Sequence, residues 1–258
     1  MAWETTTGAS GPVARHAVVL TGGDPVDPGL SRLLPSGAYV IAADAGLEQA
    51  GRLGVDVDLA VGDFDSVEAL ALASARAGGC RVERHPVAKE HTDFELALLA
   101  ARIWGAERVL VVGGYGGRLD HLLANALVLA GASTAGMHVE ALMGPARLTV
   151  VRPETVAELS GEAGQLVTLL ALGGPAQGVK THGLGYPLMD EDLHPGSTRG
   201  VSNHLLGTKA TVGLRSGVLL VICPGELVDR EAPERAGSRS ERRISGSAAP
   251  EPPRAPER

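Results

Sequence analysis

Short apolar runs separated by amphipathic stretches of helical length constrain this chain more than any other feature. The runs at 17–20, 39–43, 59–61, 109–112 and 139–143 are of strand length. Between them lie patterns such as Leu96, Leu99, Ala100 and Ile103, spaced for one face of a helix. Strand and helix alternating in this way predict a parallel sheet covered on both faces. Beyond Arg147 the helical spacing stops. Runs at 148–151, 166–170, 211–214 and 218–222 are divided by Gly- and Pro-rich turns, the pattern of an antiparallel sandwich.

The expected fold class is therefore α/β: an N-terminal Rossmann-like parallel sheet with helices on both faces, plus a C-terminal antiparallel β-sandwich domain. The change of style falls near Gly144-Pro145. The expected organisation is a loose leader over 1–14, an α/β domain over 15–144, a sandwich over 145–225 and a tail over 226–258. That last segment holds seven Arg, seven acids and five Pro. Its few apolar residues cannot offset the entropy of ordering it, so it is expected to be disordered.

Composition narrows the partners. With 35 Gly and 16 Pro in 258 residues the chain is no coiled coil or helical bundle. A net charge of −7 argues against a general binder of nucleic acid or of an anionic membrane. No stretch is apolar enough to span a bilayer and no secretory pattern opens the chain, so a cytoplasmic location is expected. Cys80 and Cys223 read as small buried hydrophobes at strand ends.

Acids follow the strand runs directly. Asp24 comes after the first, Asp44 after the second, Asp63 and Asp65 after the third, and Asp120 after the fourth. An open parallel sheet binds ligands beyond the carboxyl ends of its strands, so neighbouring strands would gather these carboxylates on one rim. Each alone also reads as a turn former or cap. Together they repel one another unless a cation sits among them. In Lys89-Glu-His-Thr-Asp-Phe-Glu95, Thr92 and Glu95 form a capping box that places Asp93 in the first helical turn. Lys89 is one of only three lysines. Cations beside a carboxylate cluster suited to Mg²⁺ point to a polyphosphate ligand. The Gly-rich turn before Arg118 offers further N–H groups and a bidentate guanidinium.

Other nucleotide and metal motifs are missing. No Gly-x-Gly-x-x-Gly opens the first helix. In Gly173-Gly-Pro-Ala-Gln-Gly-Val-Lys-Thr181 a valine stands where a P-loop needs its lysine, so the segment reads as a turn. The histidines have no zinc-site spacing.

In order and spacing the chain resembles the thiamine pyrophosphokinase (thiamine diphosphokinase) family from about Val18 to Pro224. The resemblance rests on Asp44-Ala-Gly46, Gly62-Asp-Phe-Asp-Ser66, Thr92-Asp93, Gly116-Gly-Arg-Leu-Asp-His121 with Asn125, Gly183-Leu-Gly-Tyr-Pro-Leu188 and Gly200-Val-Ser-Asn203. It implies a homodimer that transfers a pyrophosphoryl group from MgATP to thiamine and releases AMP. The α/β domain would bind nucleotide, and the sandwich would bind thiamine and dimerise. By motif match Asp44, Asp63, Asp65 and Asp93 form the catalytic group, with Asp63, Asp65 and Asp93 on the metal. ATP falls to Gly23, Asp24, Lys89, Thr92, Arg118 and Asp120, and thiamine to Tyr186, Ser202 and Asn203. The chain departs from the family pattern at Ala45, at Glu90 where Asp is usual, and at His204 where Glu is usual. Two other readings fit the residues: a Mg²⁺-dependent transferase with a different alcohol acceptor, and a thiamine binder without turnover.

Overall fold

A computed structural model describes residues 14–65, 67–153 and 155–227. Residues 1–13 of the expected leader and 228–258 of the expected tail lie outside them.

The first half runs β1 (His16–Thr21), β2 (Tyr39–Ala43), α1 (Gly46–Leu53), β3 (Leu59–Gly62), α2 (Ala69–Ala77), β4 (Arg81–Arg84), α3 (Asp93–Trp104), β5 (Arg108–Gly113), α4 (Leu119–Leu129) and β6 (His138–Met143). Its strands are parallel in the order β6-β5-β1-β2-β3-β4. The order reverses between β1 and β5, which makes a crevice at their carboxyl ends. Alternate residues of β1 enter different cores: Ala17 and Val19 pack on the α3 side, Val18 and Leu20 on the α1 side. Burial on both faces is why these strands read as continuous apolar runs.

The second half is β7 (Ala146–Val151), β8 (Val156–Ser160), β9 (Leu166–Ala171), β10 (Ala176–His182), β11 (Met189–Leu193), β12 (Asn203–His204), β13 (Lys209–Gly213) and β14 (Leu219–Cys223). Strand β7 returns antiparallel to β6 through Gly144-Pro145, and β14, β9 and β12 extend the same sheet. Among the described residues that sheet has ten strands, and a second sheet of four, β11-β10-β13-β8, faces its antiparallel end. Val167, Leu169, Val179, Val212 and Leu219 fill the space between them. The α/β half and the β-sandwich expected from the sequence are both present.

Four details differ from the sequence reading. In α3 the deep face is Phe94, Ala97, Leu98 and Ala101, while Ile103 is 85% exposed. The helix is apolar nearly all round, so spacing alone did not choose its face. The choice falls on the small alanines, which admit close approach to the sheet. Strand β4, Arg-Val-Glu-Arg, carries no apolar run because it is the sheet edge. The segment read as a turn at 173–181 turns only at its start, then forms most of β10, with the register shifting around Gly178. Finally, the expected tail begins too early. Glu226 pairs with Arg147 at 2.6 Å, Leu227 N–H donates to Pro145 O, and the Leu227 side chain packs beside the Leu142 cluster.

Candidate active site

The loops after β1, β2, β3 and β5 all open at the carboxyl rim, and the carboxylates fall into two groups there. The first group is Asp44, Asp63 and Asp65. Each offers an oxygen, and the three oxygens lie within 4.8 Å of one another. Asp44 directly follows β2 in a left-handed conformation (φ 45°), and its Oδ1 accepts the Phe64 N–H at 3.1 Å. Phe64 is left-handed as well (φ 59°), a rare state for a bulky residue. Its ring is buried among Leu47, Ala60 and Leu72, which turns the backbone sharply between the flanking aspartates. Asp63 Oδ1 accepts the Asp65 N–H at 3.2 Å, closing an Asx turn.

Lys89 ties this group to the helix beyond it. Its Nζ donates to Asp63 Oδ2 at 2.9 Å and lies 2.9 Å from Asp93 Oδ1 in the first turn of α3. The second contact is a charge pair without the geometry of a directed hydrogen bond. Asp93 therefore meets the cluster through Lys89, and Asp44 takes the position next to Asp63 and Asp65. The Lys89 hydrogen bond, helped by the Asp65 N–H, holds Asp63 below the usual carboxylate range. Asp65 is pushed up, chiefly by the charge of Asp63, with Asp44 and Asp93 adding to it. Partial burial disfavours the Lys89 charge, but the hydrogen bond to Asp63 and the charge of Asp93 outweigh it and the ammonium is stabilised. Excess negative charge focused on Asp65 is what a divalent cation would relieve, and an all-carboxylate donor set suits a hard cation such as Mg²⁺.

Thr92 caps α3, its Oγ1 accepting the Glu95 N–H at 3.2 Å. The Glu95 carboxylate, expected to complete the box, instead meets His91 Nδ1 at 3.2 Å.

The second group lies at the switch point. Asp24 N–H donates to Tyr115 O and Gly114 N–H to Gly22 O, both at 2.7 Å, so the loops after β1 and β5 are stitched together. Gly23 adopts φ 123°, and a Cβ on Gly116 would collide with the Asp24 carboxylate. Only glycine lets the Asp24 side chain lie against this loop. Arg118 and Asp120 flank the start of α4 as an exposed ion pair at 2.5 Å, and the guanidinium holds Asp120 down to about 2.

The residues expected to meet thiamine gather on the sandwich half. Tyr186 is 56% exposed, whereas Asn203 is 2% exposed. The Asn203 carboxamide makes three hydrogen bonds to backbone groups. Oδ1 accepts the N–H groups of Tyr186 and His204, both at 2.9 Å, and Nδ2 donates to Tyr186 O at 2.8 Å. Leu188 N–H is held by Thr181 Oγ1 at 2.9 Å, so the 183–188 turn is fixed at both ends. His204 meets Tyr186 edge to face, with ring centroids 5.6 Å apart. Ser202 is left-handed (φ 57°), and its N–H donates to Thr168 Oγ1 at 3.2 Å.

Sequence reasoning missed Arg84, whose Nη1 donates to Asp63 O at 3.0 Å and whose guanidinium lies 5.3 Å from the Phe64 ring centroid. Nothing local marks it, since the contact spans 21 residues.

A parallel α/β sheet with an acidic rim, continued into a β-sandwich with a presented aromatic ring, is the architecture of a two-part enzyme for charged small molecules. Comparison with known proteins makes this specific. The model "Thiamin pyrophosphokinase, catalytic domain" matches residues 30–141, and "Thiamin pyrophosphokinase, vitamin B1 binding domain" matches 154–219. Together these stretches cover well over half of the chain, which belongs to the thiamin pyrophosphokinase family and is an enzyme of thiamine diphosphate formation. A thiamine pyrophosphokinase of Bacillus subtilis is 24% identical over 163 residues, 63% of this chain and 76% of the relative. The crystal structure of thiamine pyrophosphokinase from Bacillus subtilis superposes with a TM-score of 0.70 at 23% identity, covering 81% of this chain and 99% of that one. That from Geobacillus thermodenitrificans gives 0.67 at 26% identity, covering 81% and 97%.

Proposed function

We propose that this chain transfers the pyrophosphoryl group of MgATP to the hydroxyethyl oxygen of thiamine, giving thiamine diphosphate and AMP. The observation that carries this reading is the Asp44, Asp63 and Asp65 cluster with Lys89 bound between Asp63 and Asp93, in a chain of this family. A divalent cation held by these carboxylates would neutralise phosphate charge and align the transferred group. Asp44, Asp63 and Asp65 are the oxygens placed to hold it, with Asp93 nearby to orient Lys89. Lys89 carries its charge toward the polyphosphate. Gly23, Asp24 and Thr92 shape the nucleotide side of the rim, and Arg118 is exposed enough to exchange Asp120 for phosphate oxygens. No nucleophilic side chain is required, because an alcohol attacking a polyanion is accelerated mainly by positioning and charge neutralisation.

On the acceptor side, Tyr186 presents a ring to stack on thiamine's aminopyrimidine, with Ser202 beside it. Asn203 serves that role through Tyr186, since it is buried and bonds both the N–H and the carbonyl of Tyr186. The division of labour is nucleotide on 15–144 and thiamine on 145–225. The resemblance implies dimerisation through the sandwich; the exposed stripe of Leu119, Leu123 and Leu127 along α4 is an apolar face on the other half that also suits a homodimer. Among the described residues no helix is long and apolar enough to cross a membrane. A cytoplasmic enzyme acting on small molecules is the reading these features support.

The test is product identification after incubation with MgATP and thiamine. AMP with thiamine diphosphate is expected. ADP with thiamine monophosphate would mean single phosphoryl transfer, and no thiamine-dependent turnover would return the chain to a different acceptor or to binding alone.

A further inference from the structure

The carboxylate loop depends on a backbone state that Phe64 does not adopt freely. A left-handed conformation is strained for a non-glycine residue and persists only where its surroundings over-determine it. Three contacts do so here. The ring is buried against α1 and α2, the N–H is taken by Asp44 Oδ1, and Arg84 grips the turn from the sheet edge. Arg84 ends β4 opposite Gly62, and the neighbouring His85 N–H donates to Gly62 O at 2.9 Å, so the backbone beneath the guanidinium is fixed. From that anchor the guanidinium does two things at once. It donates to the carbonyl of Asp63 and lies over the ring of Phe64. It therefore bonds both sides of the Asp63–Phe64 peptide link.

We propose that Arg84 is the positioning residue of the cation site, clamping Phe64 in the left-handed state that brings Asp63 and Asp65 within reach of one ion. This rests on reading the carboxylate cluster as a divalent-cation site. In that role Arg84 acts through the Asp63 carbonyl and the Phe64 ring. Its positive charge near a cation site is by itself unfavourable, so any benefit to metal binding must come through geometry. Charge and geometry can be separated, because lysine keeps the charge but loses the planar fork and the stacking face.

The experiment uses the full-length chain without nucleotide and titrates Mn²⁺, reading the free ion by its paramagnetic resonance signal. Arg84→Lys is expected to bind Mn²⁺ about 5- to 10-fold more weakly than wild type, the scale of one hydrogen bond plus one cation–π contact. Phe64→Leu, which stays apolar but has no ring face, is expected to weaken it about threefold. Metal-free melting curves check that both variants fold. Wild-type Mn²⁺ affinity in Arg84→Lys overturns the clamp. Unchanged Mn²⁺ affinity with a raised KM for ATP also overturns it, and assigns Arg84 to the nucleotide. Wild-type protein that binds Mn²⁺ no better than Asp65→Asn overturns the cation site, and the clamp with it.

Discussion

The two functional regions solve opposite problems. On the parallel half, Asp44, Asp63, Asp65 and Asp93 are forced together against their own repulsion. Left-handed residues, an Asx turn and one shared lysine hold them in place. On the sandwich half, a single uncharged ring is held out into solvent by a buried amide hydrogen-bonded to its backbone. In the first region like charges crowd one another, and a bound cation would relieve them. The second has no such crowding, and supplies an ordered apolar face. Damage to the first should therefore appear in turnover, and damage to the second in acceptor affinity.

Lys89→Met gives the largest expected effect. It removes the one ammonium between Asp63 and Asp93 and leaves both carboxylates unbalanced. Loss of a positioned donor to developing charge lowers kcat by about 100- to 1000-fold. Steady-state rates at saturating thiamine check this, and a loss confined to the thiamine KM would erase the contrast between the regions.

Tyr186→Ala comes next. It should raise the thiamine KM by a factor corresponding to about 1–3 kcal/mol, if stacking on nucleobases is a guide, and leave the ATP KM nearly unchanged. Asn203→Ala should act in the same direction but add little in the Tyr186→Ala background, because it works through Tyr186. Additive losses in that double-mutant cycle would mean Asn203 meets thiamine directly.

The smallest effect concerns the junction of the two halves. Arg147 bonds both Glu140 and Glu226, so Glu226→Gln keeps an acceptor but removes one of the two charges beside the guanidinium and should lower stability by about 1 kcal/mol. Burial opposes the Glu140 charge, yet its hydrogen bond to His138 and the charge of Arg147 leave it below the ordinary glutamate value of 4.5. A depressed carboxylate contributes stability above that unfolded value and loses it as the pH falls through the folded one. Acid unfolding followed by circular dichroism should thus steepen below about pH 4.5. In Arg147→Met, where only His138 remains to hold the Glu140 charge, that dependence should be weaker.

How much of this was legible in the sequence depends on where each signal lies. Strands β1, β2, β3, β5 and β6 could be read because burial on both faces writes an apolar run, and the acids that follow them mark the rim. The edge strand β4 could not, and neither could β11, whose Met-Asp-Glu-Asp-Leu looks like a loop. The acids that follow the strand runs were legible from order, but the resemblance put Asp93, not Asp44, with Asp63 and Asp65 on the metal, and Asp24 and Asp120 form a separate group. That Asp44 sits beside Asp63 while Asp93 is reached through Lys89 depends on side-chain geometry across strands. Arg84 and the engagement of Asn203 act over 21 and 17 residues, and no local pattern records such contacts.

Asp65→Asn tests the central claim most directly. Asp65 is exposed, its neighbours raise its proton affinity, and among the described residues it makes no ion pair. Asparagine keeps the shape and the turn while removing one repelling charge. Paired melting curves, with and without MgATP, and steady-state rates give the answer. The account predicts a metal-free melting temperature equal to or above wild type, little stabilisation by MgATP, and a kcat reduced by about 100-fold or more. Near wild-type turnover with undiminished stabilisation by MgATP would contradict it.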